Sequence, residues 1–329
     1  MITKRRLLTG VAAAGFGLGV GAMARGQTFT ETYPAKPIKL ILPYTAGSPV
    51  DVIARLIVPV LTSRLGQSVV VDNRPGGGTT IGLKAVMTSD PDGYTLLFTN
   101  TPTHAIAHLV AKGFTYDPIK DFVPMVTVGS SSMLLVVPAS LPVANLREFI
   151  AYAKAHPGKL NVGFGHGTLP HLFAESFKQA TATDITSIPY RGGAQAITDM
   201  LGGRIQMNTG ARATLLPFIR DGRIKALAIT SGKRDAELPD VPTMIECGLP
   251  ELTTVTYYGF LGPAGTPADL VARINREVNE ILRLAQVRAS MQRVGFEPTG
   301  GSPGDFAELI AQQLKRWAPI VKSTGFHMD

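Results

Sequence analysis

The chain has 329 residues, more than a single hydrophobic core usually fills, so its length predicts about two domains. Hydrophobic residues make up 45% of the sequence and charged residues only 17%, a composition that excludes a disordered chain or a charge-driven scaffold. The formal net charge is +8, but the basic residues are spread along the chain without a long block of like charges. That spread argues against a nucleic-acid partner.

The N-terminus has the pattern of an export signal. Basic residues that include Arg5 and Arg6 precede an almost wholly apolar run at 7–23, and small residues up to Ala24 predict cleavage after that residue. The run is short for a membrane span and rich in glycine, which disfavours a membrane anchor. The Arg5-Arg6 pair favours a twin-arginine signal peptide at 1–24 over Sec export. Its removal lowers the net charge from +8 to +5, because it takes away three positive charges and no negative ones.

Cys247 is the only cysteine in the sequence, so an intramolecular disulfide is excluded and stability must come from burial of hydrophobic surface. Its surroundings favour a small packing residue near a helix end over a nucleophile. No cysteine lies near Ala24, which excludes a lipid anchor at that point. Together these features predict a soluble exported protein of a bacterial periplasm.

The same order of secondary structure is predicted in each half of the exported chain. An apolar run predicts a strand, a glycine loop follows, apolar residues at three- and four-residue spacing predict a helix, and a second strand ends in a glycine turn. These segments are 37–43, 44–49, 50–61, 69–71 and 73–78 in the first half, and 160–164, 165–168, 169–180, 186–189 and 190–193 in the second. Two such units predict two α/β lobes with parallel strands.

The last third of the chain is predicted to be mostly helical. A cap residue, a proline and an acid follow one another from Thr266 to Asp269 and again from Ser302 to Asp305, each ahead of an amphipathic pattern. Both helices are expected to pack on a sheet, with Trp317 as a packing residue.

Motifs for catalysis or for metal binding are missing from the sequence. His104 and His108 have helical i, i+4 spacing, but no acid accompanies them as it does in zinc proteases. The chain has neither a Gly-x-Ser-x-Gly elbow nor a Walker A loop, and 163–167 lacks the spacing and the later acid of a dinucleotide fingerprint. The sequence therefore predicts no catalytic residue, no metal and no cofactor.

The two glycine loops that lead into helices offer a simpler chemistry. The N–H groups of a first helical turn, together with the helix dipole, can bind an anion without a charged side chain. One such loop in each lobe would hold the two ends of a ligand that has a carboxylate at each end. The residues alone leave this hypothesis and a purely structural role of the glycines equally open.

Short motifs follow one another in a fixed order along nearly the whole exported chain. They are YP at 33–34, LPYTAGSPVDVIAR at 42–55, GQSVVVDNRPG at 66–76, PDGYTLL at 91–97, YDP at 116–118, PGKL at 157–160, PYRG at 189–192, LGG at 201–203, KALA at 225–228, LPDVPT at 238–243 and GPAGTP at 262–267. In this order they resemble the solute receptors of tripartite tricarboxylate transporters, also called Bug proteins.

The resemblance implies a fold and a function. The expected fold is α/β, a two-lobed clamp like the type II periplasmic binding proteins, in which each lobe is a mixed, mostly parallel sheet flanked by helices. Lobe 1 is expected to comprise 25–128 and 256–329, and lobe 2 to comprise 129–255, with crossing strands between them. Such a receptor captures a small carboxylate, either a di- or tricarboxylate, an acidic amino acid or an aromatic acid. It delivers this ligand, as a monomer without a cofactor, to one large and one small membrane subunit of a transporter.

The resemblance also implies a ligand site that both lobes share. In lobe 1 it comprises Tyr44, Thr45, Ala46, Gly47, Ser48, Asp51, Thr99, Thr101 and His104. In lobe 2 it comprises Gly165, His166, Gly167, Thr168, Leu169, Tyr190, Arg191, Gly192 and Thr209. Thr168 is expected both to cap its helix and to reach the ligand. Asp51 is expected to cap the helix or orient the loop rather than to bind a ligand ammonium.

Two positions depart from the family pattern. Pro49 stands in the lobe 1 loop, where it removes one backbone N–H from the expected cradle. Asn208 stands where the family often has an aspartate, which removes one negative charge from the edge of the cleft.

Two other classes of protein are alternatives. A secreted two-domain hydrolase would use a Ser/His/Asp set assembled in space. A DNA-binding protein would show an affinity that falls steeply with salt.

Overall fold

The fold is known from a computed structural model that describes residues 33–110, 115–165, 168–190 and 193–324. These residues form two β-sheets, and helices cover both faces of each sheet. The predicted signal peptide at 1–24 lies outside the described residues. None of the helices in the described ranges is long and apolar enough to cross a bilayer.

The strands and helices are numbered in chain order. The strands are β1 (Ile38–Leu42), β2 (Val69–Asn73), β3 (Thr95–Asn100), β4 (Phe122–Ser131), β5 (Met133–Pro138), β6 (Leu160–Gly165), β7 (Ile185–Tyr190), β8 (Met207–Ala211), β9 (Ile224–Ile229), β10 (Thr256–Pro263) and β11 (Phe296–Pro298). The helices are α1 (Pro49–Leu65), α2 (Thr80–Met87), α3 (Thr101–Val110), α4 (Leu146–Ala155), α5 (Leu169–Thr181), α6 (Gly193–Leu201), α7 (Arg212–Arg220), α8 (Ala268–Arg283), α9 (Ala285–Arg293) and α10 (Pro303–Thr324).

The two sheets share one strand arrangement. The first has the order β11-β4-β10-β3-β1-β2 and the second the order β7-β6-β8-β5-β9. Apart from β11, each sheet has three neighbouring parallel strands, then one antiparallel strand, then a strand that points the same way as the first three. Most described strands of each sheet therefore point in one direction, and the antiparallel ones make both sheets mixed.

The chain passes twice between the sheets. It leaves the first sheet at the end of β4, Ser131, and enters the second at the start of β5, Met133. It returns between the end of β9 and the start of β10, which pairs with both β3 and β4. The C-terminal helices α8, α9 and α10 then pack on the first sheet. The chain thus visits the first sheet, the second and the first again.

Hydrophobic clusters hold each sheet between two helical layers. Helices α1, α8 and α9 cover one face of the first sheet, and α2, α3 and α10 cover the other. In the second sheet α4 and α5 lie on one face and α6 and α7 on the other. Ile106 of α3 and Trp317 of α10 belong to the cluster on the α4 and α5 face, so these helices join the two sheets. Trp317 is 1% exposed, which confirms its packing role.

Candidate ligand-binding cleft

The candidate cleft is the region where the parallel strands of both sheets end, beside the crossing from β4 to β5. Asn100, the last residue of β3, is opposite Tyr258 of β10, which in turn is opposite Gly129 of β4. Ala211, the last residue of β8, is opposite Met133 at the start of β5. The carboxyl ends of β3 and β8 therefore meet the crossing from its two sides. Ligands of open α/β sheets bind at such strand ends.

The loop between β1 and α1 follows one of these strand ends. Thr45, Ala46 and Gly47 are exposed, and Gly47 has a φ of +79°, which favours glycine. Ser48 caps α1, since its hydroxyl accepts the N–H of Asp51 at 3.3 Å. The N–H groups of Thr45 and Ala46 donate to no group in the described part of the chain. These two amides are thus available to a ligand.

Pro49 takes a position in α1 where its missing N–H costs little. It is the first residue of the helix, a position at which the backbone N–H has no partner within the helix. The loop therefore keeps its glycine turn and its cap, while the first helical turn offers one amide fewer to an anion.

The Asp51 carboxylate holds this loop in place. One carboxylate oxygen accepts the Gly47 N–H at 2.9 Å and the Nε–H of Arg55 at 2.9 Å, and the other accepts from the Asn73 side-chain amide at 3.1 Å. Burial by itself would raise the pKa of Asp51, but the hydrogen bonds from Arg55, Gly47 and Asn73 outweigh it and lower the pKa below its usual value. The same Asn73 amide donates to the Tyr44 carbonyl at 3.1 Å. These contacts favour an orienting role of Asp51.

Tyrosine, threonine and serine hydroxyls come together near the crossing. The Tyr44 hydroxyl lies 3.3 Å from the Thr99 hydroxyl, and the Tyr258 hydroxyl lies 3.1 Å from that of Ser131. Tyr258 is buried, and desolvation raises its pKa to about 12, so its hydroxyl stays protonated. Asn73, Ser131 and Tyr258 were not predicted as site residues, because only the strand register brings them to this position.

Two buried threonine hydroxyls in this region have no hydrogen-bond partner. Thr101 begins α3 directly after Asn100, whose side chain caps that helix through the Thr103 N–H. Thr101 is fully buried, and its Oγ1 has no partner among the described residues. Thr209 of β8 is 4% exposed and its Oγ1 is likewise unpaired within the described ranges. A buried hydroxyl without a partner is costly, so both groups are candidates to bind a ligand oxygen.

On the second sheet, Thr168 follows the end of β6 and stands at the start of α5. Thr168 is exposed and stands at the N-cap position, but its hydroxyl donates to the Gly165 carbonyl at 2.6 Å and does not cap the helix. The predicted capping bond is therefore wrong. The predicted site residues His166, Gly167, Arg191 and Gly192 lie outside the described residues.

Three other predicted site residues have contacts that favour a structural role. His104 is buried, donates from Nε2 to the Pro118 carbonyl at 2.8 Å, and has its pKa lowered by burial to about 4. Leu169 belongs to the hydrophobic cluster of the second sheet. Tyr190 donates its hydroxyl to Asp199 of α6 at 2.7 Å, and desolvation together with Asp199 raises its pKa to about 12. The side chains of these residues thus pack within their own sheets.

A serine, a histidine and an acid come together on α5 and β7. Their spatial order does not match that of a hydrolase. The Ser187 hydroxyl donates to Glu175 at 2.5 Å, and His171 lies 4.0 Å from the same carboxylate oxygen. The acid thus stands between the serine and the histidine, so the histidine is not placed as the base of the serine. Among the described residues, no group of three His, Cys, Asp or Glu side chains could hold a metal ion.

Comparisons with known proteins agree with this architecture. The sequence model of the family described as "Tripartite tricarboxylate transporter family receptor" matches residues 53–326. BugT of Bordetella pertussis is 36% identical over 297 residues, which cover 90% of this chain and 91% of BugT.

Solved structures share both the sequence and the fold. R. palustris Rpa4515, solved with adipate, is 33% identical with a TM-score of 0.82, and the match covers 90% of this chain and 99% of that one. MatC of Rhodopseudomonas palustris, solved with bound malate, is 29% identical with a TM-score of 0.77, covering 88% of this chain and all of MatC. The two sheets with their helices are the two lobes of a periplasmic-binding-protein clamp, and the chain belongs to the tripartite tricarboxylate transporter receptor family.

Proposed function

We propose that this chain is a periplasmic receptor that captures a small carboxylate in the cleft between its two lobes and delivers it to a tripartite tricarboxylate transporter. Family membership supports the receptor role, and relatives solved with adipate and with malate support the class of ligand. The chain performs no chemistry on the ligand. It works as a monomer in the periplasm after cleavage of its signal peptide, and one large and one small membrane subunit receive the ligand.

The observation that carries this proposal is a set of neutral donors without partners at the strand ends. The Thr101 and Thr209 hydroxyls are buried and unpaired, and the Thr45 and Ala46 amides are free, in the described part of the chain. A carboxylate has acceptor oxygens only and would satisfy these donors. Hydrogen bonds to a charged group contribute about 1.5–3 kcal/mol each, so three strong ones are needed to approach the roughly 8 kcal/mol of micromolar binding.

Closure of the two lobes would complete the site. Lobe 1 carries the first sheet, which the chain leaves after Ser131 and re-enters at Thr256, lobe 2 carries the second sheet between Met133 and Ile229, and the hinge is formed by the two crossings. Donors from both lobes contact the ligand together only in the closed form, so the ligand shifts the equilibrium toward closure by its extra affinity for that form.

Calorimetric titration and thermal-shift measurements test the proposal. Purified protein is titrated with mono-, di- and tricarboxylates, and with a sugar and a nucleotide as other ligand classes. We expect a carboxylate to raise the melting temperature. A shift with the sugar or nucleotide and none with any carboxylate would refute the proposed ligand class.

Threonine variants test the role of the unpaired hydroxyls. Thr101→Val and Thr209→Val are each expected to weaken carboxylate binding about tenfold while stability stays the same or rises slightly, because valine replaces an unpaired buried hydroxyl with a methyl group. Thr127→Val is the matched control. Thr127 is also buried with an unpaired hydroxyl among the described residues, but it lies opposite Gly259, on the sheet face that packs against α10. Equal losses of affinity in all three variants would contradict the assignment.

A further inference from the structure

Besides the crossings, two side-chain contacts join the lobes, and they lie on opposite faces of the sheets. On one face, α3 and α10 of the first lobe pack against α5 of the second. On the other face, α9 of the first lobe meets α7 of the second through Arg212. The sheets and their crossing lie between these contacts, so a hinge motion that opens one of them can turn about the other.

The contact on the α5 face is apolar and buried. Trp317 and Val321 of α10 and Ile106 and Val110 of α3 are each at most 6% exposed. All four belong to the hydrophobic cluster on the α4 and α5 face of the second sheet. Separation of the lobes at this contact would expose these large apolar side chains to water, which is strongly unfavourable. The contact is therefore expected to stay closed when the lobes move.

The contact on the α7 face depends on one buried guanidinium. Arg212 is 5% exposed, and its Nη2–H donates to the Gln292 carbonyl near the end of α9. The Gly295 backbone packs so closely on the same side chain that an added Cβ would stand 2.9 Å from its Nε. Breaking this contact loses one hydrogen bond to a charged group and little apolar packing. It is therefore the weaker of the two contacts and the one that can open.

Arg212 keeps its charged partners when the lobes separate. Asp235 and Glu237 lie 3.2 and 2.8 Å from its Nε and Nη1, and both acids belong to the second lobe. Opening would therefore give water access to the guanidinium without leaving it unpaired, so the contact can break and form again. Arg212 also follows Ala211 directly, the residue at which β8 ends beside the crossing. The contact thus borders the strand ends of the candidate cleft.

We propose that the contact of Arg212 with α9 is a latch that holds the lobes closed, and that the contact of α3 and α10 with α5 is the pivot. On opening, Arg212 leaves α9 and stays with Asp235 and Glu237, while Trp317 remains buried. This inference rests on the proposed function, since it describes the motion by which the same cleft closes on a carboxylate. The latch favours the closed form with or without a ligand, and it thereby raises the apparent affinity without contacting the ligand.

Two variants break the latch from its two sides. Arg212→Gln removes the guanidinium, and Gly295→Ala places a methyl group against it. Arg220→Gln is the matched control for the charge, because Arg220 lies on the same helix, pairs with Glu237 at 3.1 Å and is 68% exposed. Gly203→Ala is the control for backbone strain, since Gly203 has a φ of +80° and no atom within 4 Å of an added Cβ. Circular dichroism and the melting temperature check that each variant is folded.

Small-angle X-ray scattering of the ligand-free, full exported chain measures the opening. Both latch variants are expected to have a larger radius of gyration than the parent, and both controls the same radius as the parent. Equal radii in the latch variants and the controls would overturn the latch.

Hydrogen exchange of the same ligand-free proteins locates the movement. In Arg212→Gln, exchange is expected to rise in peptides that contain Gln292 and to stay unchanged in peptides that contain Trp317, because the pivot remains packed. A rise around Trp317 as large as the rise around Gln292 would overturn the pivot.

Calorimetric titration measures the effect on binding. Succinate, citrate and benzoate are tested on the parent chain, and the one that binds most tightly is used for every variant. Each latch variant is expected to bind it about tenfold more weakly, while the controls stay within about twofold of the parent. At saturation the latch variants are expected to regain the radius of gyration of the parent. Equal affinities in the latch variants and the controls would overturn the proposal.

The scattering measurement needs no ligand, so this proposal and the proposed function can fail separately. Binding of a sugar or a nucleotide and of no carboxylate would refute the proposed function, and the ligand-free radii would still decide the latch. Carboxylate binding by the parent, with latch variants that match the controls in radius and affinity, would refute the latch alone. A merely structural role of Arg212 would lower the melting temperature but change neither the radius nor the affinity of the folded protein.

Discussion

Gly295 and Arg212 form a contact between the two lobes whose energy a double-mutant cycle can measure. Arg212 begins α7 in the second lobe and is 5% exposed. Its Nη2–H donates to the Gln292 carbonyl in α9 of the first lobe. Asp235 and Glu237 lie 3.2 and 2.8 Å from its Nε and Nη1, at ion-pair distance but without the alignment of hydrogen bonds. The buried guanidinium therefore connects α9 to the second lobe.

The Gly295→Ala substitution disturbs this contact in two ways. Gly295 has a φ of +75°, where a side chain costs about 1–2 kcal/mol. The new Cβ would stand 2.9 Å from the Arg212 Nε and 3.2 Å from its Cβ, and displacement of a packed side chain costs about 1–3 kcal/mol more. We expect the free energy of unfolding to fall by about 2–5 kcal/mol in total. At about 2–4 °C for each kcal/mol, the melting temperature should fall by roughly 4–20 °C.

Two further variants divide this loss into its parts. Gly203→Ala is the control for backbone strain, since Gly203 has a φ of +80° and no atom within 4 Å of an added Cβ. It is expected to lose only about 1–2 kcal/mol. In an Arg212→Ala background Gly295→Ala should cost less than in the parent chain and approach this control, because the Nε contact is removed and only the 3.2 Å contact with the Cβ of residue 212 remains. Urea unfolding of the four proteins gives the coupling energy. The described contact would be refuted if Gly295→Ala lost no more unfolding free energy than Gly203→Ala. It would also be refuted if the loss from Gly295→Ala were the same with and without Arg212→Ala.

Other predictions concern pH, the helix that joins the lobes, and the loop. Burial lowers the pKa of His104 to about 4, against about 6.5 when unfolded, so the unfolded chain binds the extra proton first. The free energy of unfolding should therefore fall by about 3 kcal/mol as pH falls from 6.5 to 4. In His104→Gln the free energy of unfolding, measured with urea, should depend less on pH over this range. Trp317→Ala should cost about 3–5 kcal/mol, and a loss below about 1 kcal/mol in urea would contradict its burial. Asn73→Ala should weaken carboxylate binding in calorimetry about tenfold, since the amide holds both Tyr44 and Asp51; unchanged affinity would contradict this.

Local periodicity was sufficient to predict the repeated units of the fold. The predicted strands at 37–43 and 160–164 correspond to β1 and β6, and the predicted helices at 50–61 and 169–180 correspond to α1 and α5. The cap at Ser302 is also confirmed, since its hydroxyl accepts the Asp305 N–H and the Asp305 carboxylate accepts the Ser302 N–H. These features depend on neighbours a few residues apart, which a sequence pattern records directly.

Features that depend on distant contacts could not be predicted in the same way. Ser131 and Tyr258 meet because β10 pairs with β4 across 127 residues of sequence, and no local spacing indicates that register. The burial of His104 depends on the packing of its ring against Phe122 and on the Pro118 carbonyl, which a helical i, i+4 pair does not reveal. The structural role of a titratable residue thus follows from its surroundings rather than from its motif.

Asp51 shows how this limit affects function. In sequence it is an acid at a helix start, a position that suits capping or loop support better than the binding of a ligand cation but does not decide between them. The decision comes from Arg55, one helical turn later, and from Asn73 at the end of β2, because their donors occupy its oxygens. The spacing of Asp51 and Arg55 is visible in the sequence, but the contribution of Asn73 requires the parallel pairing of β1 with β2.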